Sequence, residues 1–222
     1  MDCFLPGEGV VQIRVVCEMT PRELADAVDG FRKTYVDDWE DWLNTTASER
    51  VCKFGSILRK WQATRPLEMR RTRVEAEHEA PFLEDLIERA QPFLGVVEGI
   101  SLTSLHGIQP LHCDAMHELW NIFRQLPVSD SAGCVGISKA VLLLTNGRIG
   151  PAFDSNVRER LGMGRIESPE DWVTVLVQIG LNARGFEQHQ GMRISEAVSP
   201  QFRHLGTGRL YDMVLGPRES RT

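Results

Sequence analysis

Long apolar runs are scarce in this chain. The longest, Ala140-Val141-Leu142-Leu143-Leu144, is five residues, against roughly 20 for a bilayer span, so no membrane partner is expected. The first residues, MDCFLPGEGV, hold no basic segment followed by an apolar stretch, which argues against a secretory signal. Cysteine is sparse: Cys3, Cys17, Cys52, Cys113 and Cys134 are odd in number and form no CxxC pair. Neither a disulfide framework nor a thiolate zinc site is expected, and reduced thiols suit a cytoplasmic location. Excess positive charge is missing too. At a net charge of −6 the chain has no global attraction for nucleic acid, so a nucleic-acid partner would require a local basic surface.

Several chemical signatures are also lacking. No GxGxxG or GxxxxGK(S/T) phosphate loop occurs, and "TNGRIGP" (145–151) reads as a turn. Ser138 and Ser155 have no GxSxG context. His106, His112, Cys113, Asp114 and His117 cluster in "LHGIQPLHCDAMHELW", but without HExxH spacing. Surface or capping histidines are the stronger reading, and neither a metal nor a cofactor is expected.

What is present is helix punctuation. Thr20-Pro21-Arg22-Glu23 combines a cap, a proline for the first turn and a capping-box glutamate, predicting a helix towards Tyr35. Trp39, Trp42, Phe54, Ile57, Leu58 and Trp61 predict further helical packing ending near Trp61 or Gln62, with the tryptophans as core. Arg65, Arg70, Arg71 and Arg73 are followed at once by six acidic residues between Glu75 and Glu88, the pattern of solvated helix faces. A helix ends near Pro92, residues 93–110 are mixed, and His112 to Leu126 is helical again. Residues 129–136 form a glycine-containing turn, and Ile137 to Thr145 a short apolar helix. Asp154 opens a helix that Gly162 closes, and Ser168-Pro169-Glu170-Asp171 starts another. Two segments, 10–16 and 209–215 ("RLYDMVL"), look strand-like and able to pair. No repeat or linker divides the chain, so a single, mainly α domain over residues 1–222 with a small terminal β element is expected.

Residues 126–162 carry a further pattern. Gly133-Cys134-Val135-Gly136 is a glycine turn, Ala140 a small residue four positions on, and Val141 to Leu144 an apolar helix. "AFDSNVRERLG" then places Asp154 at a helix start with arginines behind it. This arrangement resembles the helix-hairpin-helix DNA glycosylase superfamily. The resemblance implies that scaffold, a double-stranded DNA partner and phosphate contacts from Gly133, Gly136, Ser138, Lys139, Arg158 and Arg160. It also implies Asp154 as the catalytic carboxylate beside a flipped nucleotide. The lysine that bifunctional members place two residues after the last turn glycine is replaced here by Ser138, with Lys139 one position later. One position rotates a helical side chain by roughly 100°, so the implied chemistry is monofunctional, with water attacking the sugar.

Two functional expectations stand side by side. The first is a DNA-binding or base-excision-repair-like protein with a divergent glycosylase-type site. The second is a non-catalytic helical protein-interaction domain, in which Asp154 only caps its helix and an apolar patch lies elsewhere.

Overall fold

The computed structural model describes residues 15–63, 79–126 and 132–219, and these are mainly helical. Caps set the first helix: the Thr20 hydroxyl accepts the Glu23 N–H while the Glu23 carboxylate accepts the Thr20 N–H. Helix α1 (Pro21–Asp29) buries Leu24, Ala27 and Val28. It stops at Gly30 instead of running on to Tyr35, and α2 (Lys33–Leu43) starts afresh. Helix α2 buries Trp39 and Trp42, and α3 (Arg50–Lys60) buries Phe54, Ile57 and Leu58. Their aromatic rings interlock: Trp39 stacks on Trp61 at 6.3 Å and Trp42 tilts against Phe54 at 6.2 Å.

Helix α4 (Glu79–Val96) passes through Pro92 rather than ending there. A proline removes its own N–H bond and crowds the carbonyl four residues back, yet the helix continues for four residues beyond it. Residues 102–107 form a 3-10 turn that the long helix at Pro169–Gln190 packs over. Helix α5 (Pro110–Phe123) buries Met116, Leu119, Trp120 and Phe123. Helix α6 (Cys134–Leu144) is buried over nearly all its length, as expected of a central helix apolar on every side. It begins three residues before the expected Ile137, so Cys134 to Gly136 belong to the helix and not to the turn. Short α7 (Ser155–Arg160), long α8 (Pro169–Gln190), the single turn α9 (Ile194–Ala197) and α10 (Thr207–Leu215) complete the order. The buried apolar side chains form one continuous cluster, drawn from helices at both ends of the chain.

The expected β element requires correction. Residues 209–215 are helical within α10, which buries residues 208–215 on every side, and period alone does not separate a short buried helix from a strand. Val15 and Val16 lie in a turn and residues 10–14 fall outside the described residues. Among the described residues the remaining β pairing is an isolated antiparallel bridge between Phe31 and Arg218. Arg65, Arg70, Arg71 and Arg73 also lie outside the described residues. No helix among those described is long and apolar enough to cross a membrane.

Candidate functional site

The residues around α6 separate into a buried charged cluster and an open cleft. Behind the first turn of α6, Gly136 approaches the end of the α3 region so closely that a Cβ would lie 3.2 Å from the Ala63 carbonyl oxygen. The Ser138 hydroxyl donates to the Cys134 carbonyl at 2.6 Å and accepts the Phe153 N–H at 3.0 Å. Lys139 is only 7% exposed, and its Nζ donates to the Trp61 carbonyl at 2.5 Å. Gly136, Ser138 and Lys139 therefore knit α6 to its neighbours and do not face a surface ligand.

Asp154 caps α7. Its Oδ1 accepts the Val157 N–H at 3.0 Å, which satisfies one of the orphan donors of a helix start. Arg160 reaches away from α6, its Nη1 donating to the Val214 carbonyl at 3.3 Å.

Inward of Asp154 lies a pair that the sequence reading had placed on a strand. Arg209 and Asp212, one turn apart on α10, form an ion pair at 2.6 Å with side chains 2% and 9% exposed. Asp212 Oδ1 also accepts the Ala152 N–H at 3.0 Å, and Arg209 Nη2 donates to the Tyr35 carbonyl at 2.9 Å. The guanidinium carbon sits 4.7 Å from the Trp39 ring centroid and 4.9 Å from that of Phe31. Burial pushes Asp212 up and Arg209 down, and each charge opposes the other's shift. Arginine is effectively always protonated, and the guanidinium at 2.6 Å favours the ionised form of Asp212 against its burial. An Arg and an Asp at i, i+3 in an otherwise apolar nonamer was the signal available in the sequence.

Lys139 belongs electrostatically to this cluster. Burial pushes its ammonium below the ordinary lysine value, while Asp154 and Asp212 pull it back up. A lowered folded-state value means the folded chain holds fewer protons than the unfolded chain between that value and the ordinary 10.5. Stability through Lys139 must therefore rise with pH across that window and level off above 10.5 and below the lowered value, where both states hold the same protons. Lys139→Met is expected to flatten the alkaline rise in stability by at most about 1.4 kcal/mol per pH unit. Urea unfolding of both proteins from neutral pH upward is the measurement, and parallel curves would refute the assignment.

On the outer side, a cleft of about 440 Å³ opens at the N-terminus of α6. Gly133 is its N-cap residue, no side chain caps the helix, and the N–H groups of Cys134 and Val135 have no acceptor among the described residues. Three cationic side chains join this helix start: Arg124 beyond the end of α5, Arg158 on α7, and Arg165 in the segment leading to α8. None forms an ion pair or a side-chain hydrogen bond among the described residues. Trp120 and Ile166 supply apolar wall and Glu167 a single carboxylate. Trp120 is 3% exposed, and among the described residues neither its indole N–H nor the buried Nε of Arg158 has a partner. The thiol of Cys134 is pushed up to about 12 by burial, opposed by the nearby charge of Arg158, so it stays neutral and unreactive.

Of the residues singled out in the sequence, the cleft brings together Gly133 and Arg158. Asp154 is not among its lining residues, and Gly136, Ser138, Lys139 and Arg160 lie elsewhere. Arg124, Arg165 and Trp120 lie outside residues 126–162, the stretch that carries the resemblance, and only the packing of the helices brings them to the glycine turn. The histidine segment disperses: His106 Nδ1 pairs with the Thr103 carbonyl and the ring also meets Arg184, His112 caps the Gln109 N–H, and Cys113 is buried. Comparison with protein-family models, curated proteins and solved structures finds no match.

Proposed function

We propose that this protein binds double-stranded DNA through phosphate groups seated at the start of α6, on a scaffold related to that of the helix-hairpin-helix glycosylases. The observation that carries the reading is the convergence of Arg124, Arg158 and Arg165, none of them ion-paired among the described residues, on an uncapped helix N-terminus. Free backbone N–H groups and the positive end of the helix dipole favour an anion there, and guanidinium forks match phosphate oxygens. Phosphate contacts position a protein on a duplex without reading its sequence. The cleft supplies the local basic surface that an acidic chain needs for such a partner.

In this reading Asp154 is a structural cap. Its carboxylate is engaged by its own helix, and no lysine faces the cleft. Among the described residues the cleft carboxylate is Glu167, and the reading assigns it no catalytic role. The protein-interaction alternative gains little: the exposed large apolar residues among those described, Leu43, Leu111 and Leu181, sit on three different helices, an ordinary scatter.

The test is duplex binding at about 50 and about 200 mM salt, where a few phosphate contacts produce a steep loss of affinity. Wild type, Asp154→Asn and Arg158→Gln would be compared on intact and abasic-analogue duplexes. Asn caps a helix as well as Asp, so Asp154→Asn is expected to bind like wild type. Arg158→Gln is expected to bind several-fold more weakly and with a shallower salt slope, by roughly one phosphate contact. Salt-insensitive binding, or an unaltered Arg158→Gln, would sink the proposal.

A further inference from the structure

The inventory of groups in the cleft exceeds what one internal phosphodiester can use. An internal diester carries one negative charge and two free oxygens, and its neighbours continue along the strand. The cleft instead gathers three guanidiniums and the two N–H groups of Cys134 and Val135 around a single concavity of about 440 Å³. Glu167 offsets one of those charges, leaving an excess of about two, plus roughly half a charge from the helix terminus. A phosphomonoester carries about −1.5 to −2 and three strongly accepting oxygens. Charge and acceptor number therefore match a monoester and exceed a diester.

The walls carry the argument further. Among the described residues Trp120, a lining residue, has no partner for its indole N–H, and the Arg158 Nε has none either. An external acceptor would satisfy donors at this wall, and the weight of the reading rests on the three guanidiniums and the helix start. Ile166 and Trp120 line the cleft and give the apolar contact that a sugar would meet next to its phosphate. A concave site fed by four separate chain segments also suits a terminus entering it better than a continuous backbone passing by.

We infer that the cleft at the start of α6 holds the terminal phosphomonoester of a nucleic-acid strand, making the protein a reader of phosphorylated DNA ends. This deepens the proposed DNA-binding function and rests on it. A free nucleotide presents the same monoester, so the experiment has to separate the two sources.

Fluorescence anisotropy would compare one short duplex with hydroxyl ends, with 5′-phosphates and with 3′-phosphates, using inorganic phosphate and a mononucleotide as competitors. One phosphorylated form is expected to bind about tenfold tighter than the hydroxyl-ended duplex, the gain of further charge-assisted hydrogen bonds. That preference should shrink between about pH 7.5 and about pH 5.5, because the second phosphate proton returns near pH 6. The hydroxyl-ended duplex in the same buffers reports any titration of the protein itself. Arg124→Gln and Arg165→Gln, both at exposed positions, should each remove most of the preference while leaving thermal unfolding unchanged. Equal affinity for hydroxyl and phosphorylated ends, with salt-sensitive binding intact, would overturn the end-reading inference and leave DNA binding standing. A mononucleotide that binds as tightly as the phosphorylated duplex would keep the monoester site and overturn DNA as its source. Failure of every duplex and of both competitors would overturn both.

Discussion

Asp212→Ala is expected to cost about 3–5 kcal/mol of folding stability, the usual penalty for stranding a buried charge. The carboxylate has two partners, the Arg209 guanidinium at 2.6 Å and the Ala152 N–H at 3.0 Å. Its removal leaves a cation that is 1% exposed overall, supported by the Tyr35 carbonyl and by the faces of aromatic rings. Those contacts do not neutralise it. The Ala152 N–H loses its acceptor as well, and with it a tie between α10 and the segment that leads into Asp154 and α7. Replacing Arg209 with Met in the same chain should recover a large part of the loss, since a buried pair is more damaging when half removed than when wholly removed. Urea unfolding of the single and double variants is the measurement. A single-variant loss below about 1 kcal/mol, the range of an exposed pair, would show that water reaches the pair.

Gly206→Ala is expected to cost close to the upper end of the roughly 1–3 kcal/mol typical of overpacking. A Cβ at position 206 would sit 2.5 Å from the Gly147 carbonyl oxygen, 2.6 Å from its carbon and 2.8 Å from the Arg148 nitrogen. All three are backbone atoms, so no side chain can swing aside. Gly147 is itself held at φ +76, and its carbonyl accepts the Arg209 N–H at 2.8 Å. Displacing that turn therefore disturbs the start of α10 and the orientation of the buried ion pair. Gly164→Ala is the matched control: no atom lies within 4 Å of its built Cβ and its φ is unremarkable. It should change stability by less than about 1 kcal/mol, in the favourable direction if at all. Equal effects at the two positions would mean that the close backbone approach is relieved at little cost.

Gly147 and Arg148, against which Gly206 packs, belong to "TNGRIGP". The segment is a turn, as its composition indicated, and its glycines serve close packing against α10. Gly150, for instance, has the Gly208 carbonyl oxygen 3.1 Å from its built Cβ. The partner of that packing lies some sixty residues away, and nothing in the local pattern announces it.

Helical class and several helix boundaries were legible because their causes are local. Thr20 with Glu23, Ser168 with Asp171 and Asp154 with Val157 each act across three residues. Gly162 ends α7 at φ +65, a conformation open to glycine. The glycine turn and Arg158 were legible as candidates for the same reason, through short motifs.

Elsewhere the tertiary structure decided. Residues 209–215 fit a strand or a helix until the core closes around them on every side, and burial selected the helix. Lys139 reads as a surface cation by type, yet the packing of α6 against Trp61 takes it inside. The cleft depends on arginines at positions 124, 158 and 165 meeting one helix start, and their convergence is set by how α5, α6 and α7 pack. Caps and turns follow from atoms a few bonds apart, which the order of residues specifies directly. Burial, charge pairing and the gathering of a site follow from which distant segments the hydrophobic core brings together.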